Sequence, residues 1–363
     1  MIVESVKLNQ FRNYGSLELE FDRGTNLFYG NNAQGKTNFL ESIYFCAVGR
    51  SLRGKSDQQL IQFGEEESHI RAIVQRERRA DRIDVHLKRE EKKGVAVNGL
   101  PVKKLGELFG TMYAVVFSPE DLSLVKDGPA ERRRFLDMEL CQLSKVYYHD
   151  LQQYTRILKQ RNHLLKEIPK RQALQDTLFA WDEQLCGYGE RVIAARKRFL
   201  LRLDAIAAEK LSRLTGGRDR LQMLYRPNCE GGSLAGKLRR NFERDIAFGA
   251  TQSGPHKDDI LFSVNGLEAK LYGSQGQQRT TALAARLAEI ELIREETGEE
   301  PILLLDDVFS ELDEARQRFL LESIDGLQAF LTCTGIEDSV KKYIRRDNLF
   351  YVENGTITPQ KNG

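Results

Sequence analysis

Apolar and polar positions alternate at the start of the chain and switch period twice further on. Leu17-Glu18-Leu19-Glu20-Phe21 alternates strictly and Ile2 to Leu8 imperfectly, while Thr25 to Tyr29 is a short β-rich run. This opening predicts three strands. After Tyr29 and a glycine-containing stretch, Phe39, Leu40, Ile43, Tyr44 and Ala47 recur at helical spacing. Strand-like runs return between Ile70 and Val116, with Val95-Ala96-Val97 ahead of the hairpin dipeptide Asn98-Gly99. Met112 to Phe117 is an apolar strand that stops at Ser118-Pro119.

From Leu136 the period changes to 3-4. Leu136, Leu140, Leu143, Tyr147, Leu151, Tyr154, Leu158, Leu165 and Ile168 form one run, broken once at Arg161 and ended by Pro169. Leu174, Leu178, Trp181, Leu185, Tyr188, Val192, Ala195, Phe199, Leu203 and Ile206 form a second. Two heptad-like stretches of about 35 residues separated by a proline predict an antiparallel helical hairpin with arms of about 50 Å. The same pattern fits amphipathic helices of a compact helical domain. β character resumes after Gly249: Asp258–Val264 and Leu267–Tyr272 flank a second Asn-Gly pair, Asn265-Gly266. A helix is predicted from Gln277 to about Glu295, and then the unbroken apolar run Pro301 to Leu305 ends in Asp306-Asp307, as a buried parallel strand reads. A helix over Glu314–Ile324 and a strand over Gln328–Cys333 complete another strand-helix-strand unit. The chain is therefore α/β, with an α-helical insertion at 118–249 between an N-terminal half at 1–117 and a C-terminal half at 250–363.

The chemistry enters at Gly30-Asn31-Asn32-Ala33-Gln34-Gly35-Lys36-Thr37, a G-x-x-x-x-G-K-[ST] loop with a strand before it and a helix after it. Its backbone N–H groups and helix N-terminus suit phosphate oxygens. Lys36 would bridge β- and γ-phosphates, and the Thr37 hydroxyl would ligate Mg²⁺, giving an ATP·Mg²⁺ site. Asp306 is placed to hold the same cation and Asp307 to polarise an attacking water. Lys36 and Asp306 are 270 residues apart, so the helical insertion lies inside the nucleotide-binding fold. A guanine-reading N-K-x-D string is absent. Tyr272-Gly273-Ser274-Gln275-Gly276-Gln277-Gln278-Arg279 is a second Gly-containing loop opening a helix. A Gly-rich turn is usually only a turn, but a second loop of this kind suggests a composite site that caps the γ-phosphate of another subunit's nucleotide.

Charge adds one feature. The chain's 363 residues carry Lys+Arg 55 and Asp+Glu 53, yet the segment Ser118–Gly249 holds 25 Lys/Arg against 18 Asp/Glu. Arg156, Lys159, Arg161, Lys166, Lys170 and Arg171 sit near the expected hairpin tip, with Arg191, Arg196, Lys197, Arg198 and Arg202 on its return; Arg50 and Arg53 lie in a second basic loop running to Lys55. These are candidate sequence-independent DNA contacts, or equally a solvated surface. Hydrophobic residues at 40% exclude bulk disorder. Cys46, Cys141, Cys186, Cys229 and Cys333 are scattered, which excludes a zinc site or disulfide framework and suits the cytoplasm. No membrane-length apolar run and no secretory start are present.

The chain resembles the RecF family, bacterial DNA replication and repair proteins of the ABC/SMC-type ATPases. The resemblance is carried by Phe11-Arg12-Asn13-Tyr14, the loop Gly30–Thr37, Ser118-Pro119-Glu120-Asp121-Leu122 with Arg132-Arg133-Arg134-Phe135-Leu136-Asp137, and Thr251-Gln252-Ser253-Gly254-Pro255-His256-Lys257-Asp258-Asp259. The second Gly loop and Leu304-Leu305-Asp306-Asp307-Val308-Phe309-Ser310-Glu311-Leu312-Asp313 complete it. It implies a P-loop ABC-type ATPase head with an antiparallel β subdomain and the inserted helical lobe. It implies that Arg12 touches nucleotide, that Glu120 or equally Ser118 is the Q-loop residue, and that Ser274, Gly276 and Gln277 form the signature loop of an ATP-sandwiched homodimer. Ser310 to Asp313 would link the two sites of that dimer. Asp307 stands where most of the superfamily carries Glu, which implies slow, DNA-stimulated hydrolysis, and Thr334 stands where a switch His is common. The resemblance further implies a clamp on duplex and gapped DNA at single-strand/double-strand junctions. RecR, RecO and RecA would be its partners, and the SOS response is implied with them. His256 reads either as a structural histidine or as a base. The competing readings are a P-loop phosphotransferase of a small acceptor, indifferent to DNA, and an ATP-gated scaffold without significant catalysis.

Overall fold

In the computed structural model of the chain, residues 1–53, 56–77, 79–229, 234–335 and 348–360 are described. They divide into two compact units, Met1–Asp121 with Arg286–Gly363, and Leu122–Ala285. Residues 250–285, read from sequence with the C-terminal ATPase half, thus group with the helical segment.

The first unit holds two six-stranded sheets among the described residues. One is mostly parallel, in the order Thr356–Pro359, Leu349–Glu353, Thr25–Tyr29, Ala329–Cys333, Ile302–Asp306, Ala114–Phe117. Only the first of these strands runs antiparallel to its neighbour. Ala114–Phe117, Ile302–Leu305 and Ala329–Thr332 are buried at every position, which is why they read as unbroken apolar runs. The other sheet is antiparallel, in the order Tyr14–Glu20, Ile2–Phe11, Glu67–Gln75, Ala80–Lys88, Gly94–Val97, Leu100–Pro101. Asn98-Gly99 makes the predicted two-residue turn, with φ 54 and 80 and Val97 opposite Leu100.

An aromatic cluster ties the parallel sheet to the helix Lys36–Val48. Phe28, on the strand entering the P-loop, lies 4.7 Å from Phe39 on the helix leaving it and 4.8 Å from Phe350 on the neighbouring strand. Phe21 meets Phe330 edge-on at 5.0 Å. Such pairs add to the area they bury and pin both flanks of the loop. The helix is buried nearly all round, with Glu41 and Ser42 inside as well as Phe45 and Cys46. It stops at Gly49, left-handed at φ 64, whose N–H bonds the Phe45 carbonyl.

The second unit is helical with a small antiparallel sheet, Leu267–Glu268, Asp259–Val264, Leu221–Arg226. The first heptad-like run is not one helix. It breaks at Ser144 (φ −140), whose hydroxyl caps Lys145–Glu167 by accepting the Tyr147 N–H at 3.1 Å, leaving Pro129–Leu143 as a separate helix. The arms are therefore unequal: 23 residues in Lys145–Glu167 and 37 in Leu178–Leu214, about 35 and 55 Å. Their pairing is antiparallel, since Asp150 meets Arg191 while Arg161 meets Asp182. The Asn265-Gly266 turn forms, but its second strand lasts only two residues before Ala269–Tyr272 turns helical.

Charge, not only apolar surface, fills this unit. Arg161, the break in the apolar pattern, is fully buried; its Nε donates to Asp182 at 2.5 Å and its Nη1 to Asp245 at 2.7 Å and Thr251 Oγ1 at 2.9 Å. Arg196, also buried, donates to Asp137 at 2.7 Å, Asp258 at 3.2 Å and the Pro255 carbonyl at 2.7 Å. Arg132 holds Asp259 bidentately. The segment Thr251–Asp259 is thus the knot that ties both helical arms to the small sheet. His256 belongs to it: the Thr251 carbonyl can only accept, so Nε2–H donates to it at 3.0 Å and Nδ1 accepts the Tyr154 hydroxyl at 2.6 Å. Its role is structural. Across the described residues, no helix is long and apolar enough to cross a membrane, and all five cysteines are free thiols.

Burial holds His256 neutral, pushing its pKa from 6.5 down to about 4, with Lys257, Arg133 and Arg196 adding to the effect. The unfolded chain therefore binds more protons between these values, and stability rises with pH through that window. The contribution is complete above about 6.5 and is lost as pH falls toward 4. Asp258, whose pKa burial raises, acts in the opposite sense and is common to wild type and variant. Chemical unfolding at pH 7 and pH 5 should show that His256→Gln removes about 2 kcal/mol of the wild-type pH dependence; equal pH dependence in both proteins would refute the assignment.

Candidate nucleotide site

The site lies at the carboxyl ends of three adjacent parallel strands, where open α/β sheets bind ligands. Thr25–Tyr29 delivers the P-loop, Ile302–Asp306 delivers the carboxylates, and Ala329–Cys333 lies between them. Asn32, Ala33, Gly35, Lys36, Thr37, Asn38, Leu52, Arg53, Ser118, Pro119, Glu120, Asp306, Asp307 and Thr332 line a cleft of about 590 Å³. The cleft brings together residues up to 300 positions apart in sequence.

The P-loop's shape is imposed by its neighbours. Gly30 (φ 149) passes so close to the next strand that a Cβ would lie 2.2 Å from the Val352 carbonyl oxygen; at Gly35 (φ 121) one would meet Asn13 and Tyr14 within 2.9 Å. Asn13 Nδ2 donates to the Gln34 carbonyl at 2.8 Å and Tyr14 OH to the Gly35 carbonyl at 2.9 Å. The turn Asn354-Gly355 supplies the last supports: Asn354 N–H donates to Gln34 Oε1 at 2.6 Å and Gly355 N–H to the Gln34 carbonyl at 3.2 Å. These braces were not read from sequence, although an Asn-Gly pair between two β-rich runs was a signal for the turn.

Lys36 Nζ donates to the carbonyls of Gly30 at 2.6 Å and Asn31 at 2.8 Å. Burial pulls its pKa below the ordinary lysine value, against the opposing pull of Asp307 and Asp306. Thr37 Oγ1 donates to Asp306 Oδ1 at 2.8 Å, the contact expected of two residues sharing one cation. The donors, the Thr37 hydroxyl and the Asp306 carboxylate, are hard oxygens. That fits Mg²⁺, which keeps its waters and is held by one or two protein oxygens plus phosphates rather than by a protein cage. Thr37 and Asp306 would hold it; when bound it would neutralise phosphate charge and orient the terminal phosphoryl group.

Asp307 adopts a left-handed backbone, φ 50, unusual outside glycine. Burial, then the neighbouring Asp306, raises its pKa above the ordinary aspartate value, against the opposing pull of Lys36. Sequence reasoning missed Thr332, whose hydroxyl donates to Asp306 Oδ1 at 2.7 Å.

The remaining assigned residues are divided between the cleft and other places. Ser118 and Glu120 both line the cleft, so either can serve as the Q-loop residue. Arg12 is outside the lining: its Nε and Nη2 donate to the buried Glu41 at 3.0 and 2.8 Å and its Nη1 to the Gln59 carbonyl at 2.9 Å. Arg53, expected from sequence to touch DNA, lines the nucleotide cleft, and Lys55 of the same loop lies outside the described residues. Arg50 is exposed. Arg161 is corrected outright, because a fully buried arginine committed to Asp182 and Asp245 cannot reach a phosphate. Arg196 is unsuited to DNA for the same reason, and Arg191 is occupied by Asp150. Arg156, Lys159, Lys166, Lys170 and Arg171 are exposed.

In the second unit, Ser274 and Gln277 form a reciprocal capping box. Gln277 N–H donates to Ser274 Oγ at 3.2 Å, and Ser274 N–H donates to Gln277 Oε1 at 3.0 Å. The box starts the helix Gln275–Thr297, and Gln277 Nε2 also donates to Asp219 at 3.0 Å.

Gly30→Ala sets the test of the P-loop braces. The added methyl meets a backbone oxygen that cannot rotate away, and about 1–3 kcal/mol of strain is expected. Nucleotide affinity should fall about tenfold or more, measured by fluorescence titration; wild-type affinity would show that the loop's shape is not set by this contact.

Comparison with known proteins agrees with this geometry. The family model described as the RecF/RecN/SMC N-terminal domain matches residues 2–358. The DNA replication and repair protein RecF of Lachnoclostridium phytofermentans is 48% identical over 98% of this chain and 99% of its own length. Its counterpart in Clostridium botulinum (strain Kyoto) is 42% identical over the same shares. A solved structure of the recombination mediator protein RecF with ATP, from the RecFOR pathway, is 36% identical and covers 99% of this chain and 97% of its own, with TM-score 0.93. The Smc head domain from Pyrococcus furiosus shares the fold at TM-score 0.56 and 15% identity. With the braced P-loop, the Thr37–Asp306 contact and this similarity along the whole chain, the protein belongs to the RecF family of DNA replication and repair ATPases.

Proposed function

We propose that the protein is an ATP-dependent DNA-binding protein of replication and recombinational repair, in which ATP·Mg²⁺ closes a homodimer on DNA and slow hydrolysis reopens it. The observation that carries this reading is the meeting of Thr37 and Asp306 at 2.8 Å beside Lys36, across 269 residues of sequence. Lys36 binds the terminal phosphates, Asp307 orients and deprotonates the attacking water, and the Asp307 carboxylate, one methylene shorter than a glutamate, makes that step slow. Ser274, Gly276 and Gln277 would cap the γ-phosphate of the partner's nucleotide; the preformed capping box supports this by presenting a rigid helix N-terminus. Large apolar side chains flank that loop, with Leu267 58%, Leu271 64% and Tyr272 68% exposed, as suits a surface that a second copy covers. The RecFOR pathway named for the solved relatives supports partnership with RecR and RecO; action at single-strand/double-strand junctions, RecA loading and a part in the SOS response complete the proposal.

Light scattering tests the closure. With ATP and Mg²⁺ the mass should rise from 41.6 kDa to about 83 kDa, with Asp307→Asn holding the closed state and Lys36→Ala abolishing it. A monomer that nonetheless binds ATP would remove the assigned role of Ser274 and Gly276.

DNA contact is assigned to the exposed cations of the first helical arm and the turn after it, Arg156, Lys159, Lys166, Lys170 and Arg171. Their replacement by alanine should lower duplex affinity for all sequences alike and flatten the log–log salt slope by about 0.9 for each phosphate no longer neutralised. Arg161→Ala should instead destabilise the protein by about 3–5 kcal/mol by stranding buried carboxylates. An unchanged slope in the surface variant would move the DNA site elsewhere.

A further inference from the structure

We infer that Thr332 is a positioning residue that locks the metal-binding carboxylate of Asp306 to the backbone of Asp307, an inference resting on the reading of Asp306 as the Mg²⁺ ligand and Asp307 as the base. Thr332 is fully buried and stands in register opposite Asp306 on the adjacent parallel strand. Its hydroxyl donates to Asp306 Oδ1 at 2.7 Å and accepts the Asp307 N–H at 3.0 Å. A hydroxyl carries one proton and two lone pairs, so one oxygen fills both roles together. Valine has the same shape and fills neither; serine fills both.

Each bond has its own consequence. Asp306 Oδ1 is held by two hydroxyls, those of Thr37 and Thr332. Thr37 is the one expected to turn toward the cation, and Thr332 is then the hydroxyl that keeps the carboxylate aimed. The second bond acts on Asp307, whose left-handed backbone needs support from outside itself. Thr332 holds its N–H, and Ser310 Oγ donates to its carbonyl at 2.8 Å. The direction in which the Asp307 side chain leaves the backbone is therefore fixed from both sides.

The test uses the full chain as wild type, Thr332→Val, Thr332→Ser and Asp306→Asn. Binding of N-methylanthraniloyl-ATP is followed while Mg²⁺ is titrated, alongside hydrolysis rate and thermal melting. Thr332→Val should raise the Mg²⁺ concentration needed for half-maximal binding about 10–100-fold, the range found when supports of metal ligands are removed. Nucleotide affinity without Mg²⁺ should stay as in wild type. At saturating Mg²⁺, kcat should fall more than nucleotide affinity, and Thr332→Ser should restore both within about threefold. Wild-type Mg²⁺ dependence in Thr332→Val, or Thr332→Ser as impaired as Thr332→Val, overturns the inference. If valine unfolds the protein, Thr332→Ala takes its place under the same criteria. Should wild type and Asp306→Asn both bind nucleotide indifferently to Mg²⁺, the metal reading itself fails, an outcome distinct from a normal Mg²⁺ response that Thr332 does not influence.

Discussion

The parallel register of three strands is the constraint on which the nucleotide site depends. Cys333 pairs with Tyr29 and Asp306 with Thr332, so the strand that launches the P-loop and the strand that ends in carboxylates stop at the same level of the sheet. A one-residue slip would turn Asp306 to the opposite face and separate it from Thr37. Ile302 to Leu305 is apolar on both faces and does not set the register by itself. The polar contacts at the strand end do, since a slip would break the bonds of Thr37 and Thr332 to Asp306 and of Thr332 to the Asp307 N–H. The aromatic cluster around Phe28 then fixes the helix that follows the loop. Parallel pairing between residues so distant in sequence also carries a large loop-closure cost. The first unit meets that cost with a core in which Phe21, Phe28, Phe39, Phe330 and Phe350, drawn from both ends of the chain, touch one another.

The second unit rests on a different principle. Arg161 and Arg196, with the carboxylates around them, occupy buried positions that a simple helical bundle would give to leucine. Such pairs add little stability over an apolar core, but each is costly to break on one side only. Arg161 accepts one geometry, with Asp182 from the opposite arm and Asp245 and Thr251 from the segment after it. Arg196 does the same with Asp137 and Asp258. The arrangement specifies how the arms meet the knot at Thr251–Asp259. It also changes the meaning of the local basic excess, since part of that charge is internal and never meets a ligand.

Elements whose signal is local were legible in the sequence. The Asn-Gly turns at 98–99 and 265–266, the loop Gly30–Thr37, the helix before Glu295 and the carboxylate strand each depend on residues within a few positions of one another. Features that depend on a distant partner were not. Arg161 interrupted a helical pattern, and nothing nearby in sequence showed that Asp245 and Thr251 neutralise it inside. The break at Ser144 was hidden because the apolar spacing continues across it. The division of the compact units near residue 285 carries no local signal, because a single helix, Gln275–Thr297, crosses it. Arg12 was assigned by motif, and Glu41, the group that holds it, has no signature of its own. Thr332 was invisible for the same reason, as a threonine in a buried strand reads as β propensity alone.

On the proposed function, the two aspartates favour holding nucleotide over turning it over. Asp306 is restrained by the hydroxyls of Thr37 and Thr332, from both neighbouring elements. Asp307 sits one residue on, where the chain leaves the sheet, and its left-handed conformation is the means by which adjacent residues in a strand can both face the cleft. In a regular strand they would point to opposite faces. In the proposed mechanism, this left-handed backbone is what aims the short Asp307 side chain into the cleft. A carboxylate set in this way has little freedom to follow the reacting phosphoryl group, and the proton it must accept is favoured by burial beside Asp306. Binding is served by every element of the site, whereas hydrolysis is served by one short side chain held at a fixed angle. Under the proposed function, such a site would time the release of a bound state rather than drive rapid turnover.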